Sequence, residues 1–256
     1  MRIISYNVNG VRAALQKGLT NWLATQNADV VLLQETKAQP EQIDTAAFEA
    51  IGLPHCYYHS AQKKGYSGVA ILSKTKPNAI VVGCGMPQYD EEGRILRADF
   101  GDLSVISAYI PSGSSGEDRQ AVKMQFLSDF LPWCENLRKE RPKLIIGGDF
   151  NICHREIDIH DPKGNKKTSG FLPEERDWLS SFFNSGFTDT FRHFYPDLAH
   201  QYSWWSQRFN SRAKNKGWRI DYLTITTPLL NENLLGAGIE PDAVHSDHCP
   251  IWVNFK

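Results

Sequence analysis

Short apolar runs recur along the chain, and they predict its strands. Most of them are bounded by glycine, proline or polar residues, as strand ends commonly are. The predicted strands cover residues 3–7, 30–33, 55–59, 68–73, 79–82, 95–100, 103–110, 144–148, 202–205, 219–226 and 250–255. The runs at 95–100 and 103–110 predict a hairpin, because only Gly101 and Asp102 separate them.

Amphipathic patterns between the strands predict helices. The first apolar stripe with helical spacing consists of Leu15, Leu19, Trp22 and Leu23. Further helices are predicted to begin at Pro40, near Glu117 and at Pro173. Pro132 lies inside the long helix that starts near Glu117, and we expect it to kink or interrupt that helix. Strands mixed with such helices predict an α/β chain (α+β in some schemes) whose sheets are covered by helices.

The composition is that of an ordinary globular protein. Hydrophobic residues make up 41% of the 256 residues and charged residues 22%, the net charge is −1, and no linker-like stretch divides the chain. We therefore expect a single domain over residues 1–256, monomeric, with any surface for a polyanion confined to a local patch.

Cysteine usage and hydropathy indicate the compartment. The five scattered cysteines form no CxxC pair, which argues against zinc and disulfides and for a reducing cytoplasm. The chain shows no signal peptide, and no apolar run approaches the roughly 20 residues of a membrane span. We expect a cytoplasmic protein, associated with the nucleoid if the source is bacterial, with no membrane partner.

Polar side chains follow several of the predicted strands. Asp149 and Asn151 follow the apolar run 144–146 and the Gly147-Gly148 pair. Positions i and i+2 of an extended chain face the same side, so Asp149 and Asn151 share one face if the strand continues. A strand that runs into a polar turn would give the same pattern. What favours a functional site is that similar strand endings recur elsewhere, at Asn7, Glu35, Asp221 and His248.

These polar residues could together carry metal-assisted chemistry. From the residues alone, without reference to any known family, the candidate site residues are Asn7, Glu35, Tyr109, Asp149, Asn151, Asp221, Asp247 and His248. Oxygen ligands without a cysteine cluster favour a hard cation such as Mg²⁺ over zinc. Taken singly, Glu35 could be a solvated strand end, Tyr109 a rim aromatic and His248 a structural histidine. Because neighbours on an extended chain point to opposite sides, we expect His248 to pair with Asp221 rather than with Asp247.

A second group of residues is basic and aromatic. Between Trp204 and Arg219 the chain reads WWSQRFNSRAKNKGWR, without an acidic residue. Cations that contact phosphates, interleaved with planar rings that stack or wedge, are typical of nucleic-acid surfaces. A long loop after residue 148 contains a further basic stretch, PKGNKK, for which a solvated loop is the ordinary alternative. The candidate DNA contacts from both stretches are Asn165, Lys167, Trp204, Arg208, Arg212, Lys214 and Trp218.

Several motifs together resemble one known family. The chain contains, in this order, SYNVNGVRAA, LLQETKA, SAYIPSG, GGDFNICHREID, PKGNKKTSGF, GWRIDY and HSDHCPI. Over about residues 2–255 it is similar to the exodeoxyribonuclease III branch of the apurinic/apyrimidinic (AP) endonucleases, within the endonuclease–exonuclease–phosphatase superfamily. The resemblance implies a four-layer αββα sandwich, in which two mixed β-sheets are flanked by helices.

The resemblance also implies an activity. It implies that the chain uses Mg²⁺, for which Mn²⁺ can substitute, to hydrolyse the DNA phosphodiester 5′ to an abasic site in base excision repair. The 3′-phosphatase, 3′-phosphodiesterase and 3′–5′ exonuclease activities of the family vary. The implied partner is double-stranded DNA with abasic sites or blocked 3′ ends.

Residue by residue, the resemblance implies three groups. The implied metal ligands are Asn7, Glu35, Asp149, Asn151 and Asp247, with Glu35 as the main ligand. The implied catalytic residues are Tyr109, Asp149, Asn151, Asp221 and His248. Asp149 is implied to activate or position the attacking water, and Tyr109 to act at the phosphate or the leaving oxygen. Trp204 and Trp218 are implied to line the pocket for the flipped abasic sugar, and Asn165 to contact a phosphate.

Three positions depart from the family pattern, and two other functions remain as alternatives. Ser112 stands where relatives often carry Asn or Gln, Thr168 replaces an Asn, and Arg208 replaces a Met that wedges into the duplex. These departures leave the balance between the activities open.

A phosphatase or sphingomyelinase of the same superfamily would not need the basic aromatic segment. A DNA-binding protein without catalysis would not need the complete catalytic set.

Overall fold

The computed structural model describes residues 1–231 and 234–256, and most of its strands belong to two large sheets. In chain order the strands are β1 (Arg2–Asn7), β2 (Val30–Gln34), β3 (His55–His59), β4 (Val69–Ser73), β5 (Ala79–Val82), β6 (Ile95–Phe100), β7 (Leu103–Tyr109), β8 (Lys143–Asp149), β9 (Phe187–Asp189), β10 (Trp204–Trp205), β11 (Gly217–Trp218), β12 (Asp221–Thr226), β13 (Leu234–Ile239) and β14 (Ile251–Phe255). The first sheet has the order β13-β14-β1-β2-β4-β3, the second has the order β5-β6-β7-β8-β12-β9, and β10 and β11 form a short ribbon.

Both sheets are mixed, and helices connect or flank their strands. β1 pairs in parallel with β2, and β7 with β8, whereas the other strand pairs are antiparallel. The helices are α1 (Val11–Gln16), α2 (Leu19–Gln26), α3 (Thr45–Glu49), α4 (Pro87–Asp90), α5 (Glu117–Glu140), α6 (Pro173–Asn184), α7 (Thr190–Phe194) and α8 (Thr227–Leu230), with 3₁₀ turns at Pro40–Gln42 and Glu156–Asp158.

The two sheets pack face to face, because alternate side chains of each strand point to opposite faces. Ile3 and Leu32 of the first sheet share one buried cluster with Val105, Ile145 and Leu223 of the second. The outer face of the first sheet packs against α1, α2 and α3, and the outer face of the second against α5 and α6. This arrangement is the αββα sandwich that the sequence predicts, so the fold class is confirmed. No helix in residues 1–231 and 234–256 is long and apolar enough to cross a membrane.

Three helix predictions need correction. The first apolar stripe belongs to two helices, because Gly18 between them adopts a left-handed conformation with φ 87°. Pro40 begins only a 3₁₀ turn, and the α-helix starts at Thr45, after the capping carboxylate of Asp44. Helix α5 runs through Pro132 to its end, so the proline does not interrupt it, and a kink at Pro132 stays a prediction. The carbonyl that loses its partner there belongs to Ser128, an exposed residue that water can reach.

The sequence patterns also missed strands. Strands β9, β11 and β13 were not expected. The predicted strand 202–205 is reduced to Trp204–Trp205, and the predicted strand 219–226 begins only at Asp221. Strand β13 reads LLGAGI, whose glycines weaken a strand pattern. Gly238 is required there by packing, since a Cβ atom would lie 2.6 Å from the ring of Trp252 on the neighbouring strand.

Gly148 provides a test of how tightly β7 and β8 approach each other. A Cβ atom at Gly148 would overlap the carbonyl oxygen of Ala108, which is main chain and cannot rotate away. We expect Gly148→Ala to lower the free energy of unfolding by about 1–3 kcal/mol or more, measured by urea denaturation. Gly236→Ala is the control, because its Cβ would meet Trp252 at an ordinary 3.6 Å. Equal losses for both variants would contradict this account of the strand pair.

Candidate active site

Strand pairing brings the predicted polar residues to one edge of the sandwich. Tyr109 and Asp221 are the register partners of Asp149 on the two strands that flank β8. In the other sheet, Asn7 at the end of β1 pairs with Gln34 of β2, which Glu35 directly follows. Because these strands all end or begin at the same edge, residues far apart in sequence face one cleft of about 690 Å³.

Asp149 is buried and is held by two amides. Asn7 Nδ2 donates to Asp149 Oδ2 at 2.9 Å, and the backbone N–H and Nδ2 of Asn151 donate to its two oxygens at 2.8 and 3.2 Å. Burial, followed by the charge of nearby Asp221, raises the pKa of Asp149 to about 7. A carboxylate with such a pKa can take up or release a proton near neutral pH.

Asn151 reaches Asp149 by a different route from the one predicted. The backbone does not stay extended after Asp149, because Asn151 has φ 53° in the left-handed region. The turn folds Asn151 back onto Asp149, and its Nδ2 also donates to the carbonyl oxygen of Ile110 at 3.0 Å. Both hydrogens of the amide are thereby used, so only its Oδ1 is left to act as an acceptor or a ligand.

His248 pairs with Asp221, as predicted, although the segment that carries His248 is a loop and not the extended strand that was expected. His248 Nδ1 lies 2.9 Å from Asp221 Oδ2, and Ser203 Oγ donates to that same oxygen at 2.6 Å. Burial alone would lower the pKa of His248, but the carboxylate of Asp221 outweighs it and raises the pKa to about 10. The imidazole is therefore protonated at neutral pH, with Nε2 3.8 Å from Asp149 Oδ2.

Asp149, Asp221 and His248 also have the spacing of a metal site, with one ligand atom from each within 4.8 Å of the others. Because Nδ1 of His248 is already engaged by Asp221, we interpret this group as a hydrogen-bonded ion pair beside a carboxylate.

The predicted oxygen ligands surround the cleft on several sides. Glu35, Asp149, Asn151 and Asp247 line it, whereas Asn7 is fully buried. The side chain of Glu35 is 18% exposed and lies 3.2 Å from Lys37 Nζ. Asp247 accepts hydrogen bonds from Asn9 Nδ2 at 2.8 Å and from Trp204 Nε1 at 3.2 Å. These carboxylate and amide oxygens are the donor types that a hard divalent cation takes.

Tyr109 is a buried phenol at the bottom of the cleft. Only 8% of it is exposed, and the guanidinium of Arg94 packs 5.0 Å from its ring centroid. Burial, together with the charges of Glu35 and Asp149, raises the pKa of Tyr109 well above its usual value. The hydroxyl therefore stays protonated at neutral pH and can donate a hydrogen bond.

Sequence reasoning missed several residues that line the same cleft, among them Asn9, Lys37, Tyr66, Glu92, Arg94 and Arg119. The guanidinium of Arg94 binds Glu92, Tyr66 and the carbonyl of Tyr109 at 2.6–3.0 Å. Nothing in the local pattern distinguishes Arg94 from a surface arginine, since Glu92 is its only near neighbour among these partners and Tyr66 and Tyr109 come from other parts of the chain. Lys37 lies in the LLQETKA motif and could have been found there.

Two tryptophans of the basic aromatic segment also face the cleft. Trp204 and Trp218 pair across the β10–β11 ribbon in an edge-to-face contact, with ring centroids 5.9 Å apart. Arg208, Lys214 and Lys167 are exposed at the surface. In the PKGNKK stretch, Asn165 uses its Nδ2 to bind the carbonyl oxygens of His160 and Asp161 within its own loop.

Arg212 has a different role from the predicted phosphate contact. Its guanidinium donates to the carbonyl oxygens of Ser246, His248, Pro241 and Ala243 at 2.6–3.4 Å, and it packs over the ring of Trp205. All of these acceptors are main-chain atoms near the loop that carries His248. We therefore correct the prediction, because Arg212 is occupied in holding this loop.

This correction yields a test with a matched pair of basic residues. Arg212→Gln should lower the free energy of unfolding by at least about 2 kcal/mol, because it removes several charge-assisted hydrogen bonds. Lys214→Gln should change it by less than about 0.5 kcal/mol. If Lys214 contacts a phosphate, its removal should also reduce the slope of log K against log salt by about 0.9. Urea unfolding and a salt series of DNA binding measure both effects, and equal stability of the two variants would contradict the assignment.

Comparison with known proteins identifies the family. Residues 4–248 match the Endonuclease/Exonuclease/phosphatase family. The exodeoxyribonuclease of Bacillus subtilis is 40% identical over 252 residues, which cover 98% of each chain. The DNA repair nuclease APEX1 of Danio rerio is also 40% identical over 252 residues, or 98% of this chain and 81% of that protein.

A solved structure agrees with these relatives. The 3′ phosphatase NExo from Neisseria, bound to a product DNA hairpin, has a TM-score of 0.92 at 26% sequence identity and covers 100% of this chain and 99% of its own. The family match, the sequence identity and the fold are thus consistent with the geometry of the cleft. The chain belongs to the endonuclease/exonuclease/phosphatase family.

Proposed function

We propose that this chain is a metal-dependent DNA repair nuclease that hydrolyses the phosphodiester 5′ to abasic sites in double-stranded DNA. The observation that carries the proposal is the buried carboxylate of Asp149 beside the hydrogen-bonded Asp221–His248 pair, in a cleft that Glu35, Trp204 and Trp218 also line. The relatives support it, because one is an exodeoxyribonuclease and another a DNA repair nuclease.

The oxygen donors of the cleft suit Mg²⁺, with Mn²⁺ able to substitute. Glu35 is the main candidate ligand, since its carboxylate is partly exposed and faces the cleft. Oδ1 of Asn151 and the carboxylates of Asp149 and Asp247 are the others in the cleft wall. When bound, a divalent cation would neutralise charge on the phosphate and on the departing oxygen.

Asp149 and His248 have different roles in the hydrolysis, one at the attacking water and the other at the phosphate. Asp149 orients a water for in-line attack and can accept its proton, because its pKa lies near neutral. His248 carries a positive charge that Asp221 holds in place, and its Nε2–H can donate to a non-bridging phosphate oxygen as charge builds. The amide hydrogens of Asn151 are already used on Asp149 and on the carbonyl of Ile110, so Asn151 serves as an acceptor or ligand through its Oδ1.

The Trp204–Trp218 pair supports selectivity for damaged DNA. An abasic nucleotide costs less to extrude than a paired one, since it has no base to unstack. The two rings give the cleft an apolar wall against which an extruded sugar can pack. Removal of a 3′-phosphate or a terminal nucleotide uses the same phosphoryl chemistry without an extruded sugar, which is how one site serves several activities.

A panel of three DNA substrates tests the proposal. A duplex with one abasic site, a nicked duplex with a 3′-phosphate and a blunt duplex are incubated side by side with Mg²⁺, with and without EDTA. We expect EDTA-sensitive incision 5′ to the abasic site. Binding without cleavage would favour the catalytically silent alternative, and hydrolysis of sphingomyelin or small phosphate esters alone would favour the other superfamily activities.

A further inference from the structure

A fully buried ion pair connects helices α5 and α6 behind the cleft wall. Lys123 of α5 and Glu175 of α6 are both 0% exposed, and Lys123 Nζ lies 2.6 Å from Glu175 Oε1. The same Nζ donates to the backbone carbonyl oxygen of Asn151 at 2.8 Å. The cation is therefore shared between a carboxylate and one residue of the candidate active site.

The carbonyl that Lys123 binds belongs to a turn beside Asp149. Asn151 holds a left-handed backbone there with φ 53°, a conformation that asparagine tolerates better than most L-residues and that hydrogen bonds on both sides of the turn hold in place. From this position Asn151 directs its N–H and Nδ2 at the two oxygens of Asp149. The backbone N–H of Asn151 donates to Asp149, and its C=O accepts a hydrogen bond from Lys123. Loss of the cation therefore removes one of the hydrogen bonds that hold Asn151 in place beside Asp149.

Glu175 fixes a second part of the cleft. Its Oε2 accepts hydrogen bonds from the backbone N–H groups of Gly170 and Leu172 at 2.6 and 3.0 Å. Gly170 in turn faces the ring of Trp218, and its carbonyl accepts the N–H of Cys153 at 2.7 Å. One ion pair thus contacts both the turn beside Asp149 and the segment beside Trp218.

Stability alone does not explain this ion pair. Burying two charges costs desolvation, and well-packed apolar side chains of similar volume usually stabilise a core at least as well. A cation at position 123 does what an apolar side chain cannot, because it gives the Asn151 carbonyl a charged donor in a site closed to water.

We propose that Lys123 is a positioning residue for the hydrolysis, acting through the Asn151 turn on the carboxylate of Asp149. This inference rests on the nuclease function proposed above and adds a residue that touches neither substrate nor metal. Small displacements of a catalytic group can lower turnover by roughly 10²-fold without loss of binding. Loss of Lys123 should therefore lower kcat and leave KM nearly unchanged.

The test separates positioning from stability with three variants. Lys123→Met leaves Glu175 charged and unpaired, so it should lower both the melting temperature and kcat. Lys123→Met/Glu175→Gln removes the buried charge, so its melting temperature should recover, whereas kcat should stay roughly 10-fold or more below wild type. Phe48→Leu, in the core on the outer face of the first sheet, is a control that should lower the melting temperature and leave kcat unchanged.

Hydrogen exchange of the amides at residues 150–153 gives a readout that does not depend on activity. Exchange there should be faster in the double variant than in wild type and unchanged in Phe48→Leu. Recovery of kcat together with the melting temperature, or unchanged exchange in the double variant, would overturn the positioning role. An inactive wild type with faster exchange in the double variant would instead overturn the proposed function alone.

Discussion

Asp149→Asn should lose turnover by roughly 10²-fold or more, and added metal should not restore it. The amide keeps the shape of the carboxylate but cannot accept a proton from water. Single-turnover incision of an abasic duplex, measured across a Mg²⁺ titration, gives both the rate and its metal dependence. The melting temperature of the same preparation shows whether the variant is folded.

Glu35→Ala is the matched variant for this prediction. It removes the partly exposed carboxylate that we assign as the main ligand, while the other oxygens of the cleft remain. Its rate should therefore fall at low metal and be partly rescued by millimolar Mg²⁺. Equal rescue of Glu35→Ala and Asp149→Asn would show that the roles of the two carboxylates are misassigned.

Trp218→Ala should lower abasic-site incision roughly 10-fold, the equivalent of about 1.4 kcal/mol of lost apolar contact, and change 3′-phosphate removal much less. Trp218 lies outside the three large clusters that contain the packed sheet faces. It packs at the edge of a small cluster formed by Cys153, Ile159, Phe171 and Ile220. The ratio of the two activities is the measured quantity, since only incision needs an extruded sugar.

Trp133→Ala is the control for this ratio. Trp133 is half-buried on α5 and packs against the core of the second sheet, so its loss should lower stability and leave the ratio unchanged. If Trp218→Ala melts many degrees lower and loses both activities together, Trp218 is a structural residue and does not form a sugar pocket.

The sequence predicted those parts of the site that lie at strand ends. The expected pairing of His248 with Asp221 rather than with Asp247 is correct, with Nδ1 and Oδ2 2.9 Å apart, although Asp247 and His248 lie in a loop and not on an extended strand. Strand ends at Asp149 and Tyr109 were likewise recognisable, and parallel pairing of β7 and β8 brings them into register. Such features depend on local geometry that the sequence determines.

Other parts depend on tertiary contacts, which a local pattern does not contain. Arg212 looked like a phosphate contact because it lies in a basic, aromatic stretch, yet its acceptors are carbonyls of a distant loop. Nothing in the sequence singles out Lys123, because its partner Glu175 lies 52 positions further along the chain. Asn151 was expected on an extended strand, but the backbone turns there.

The most direct test of the account is to follow oxygen during incision in H₂¹⁸O. We predict attack of a water, positioned at Asp149, on the phosphorus 5′ to the abasic site. One ¹⁸O atom should then appear in the 5′-phosphate of the fragment that carries the abasic sugar, with a 3′-hydroxyl on the other fragment. Mass spectrometry of both fragments shows this. Cleavage on the 3′ side of the abasic site by elimination, without ¹⁸O in the phosphate of either fragment, would contradict hydrolysis by this site.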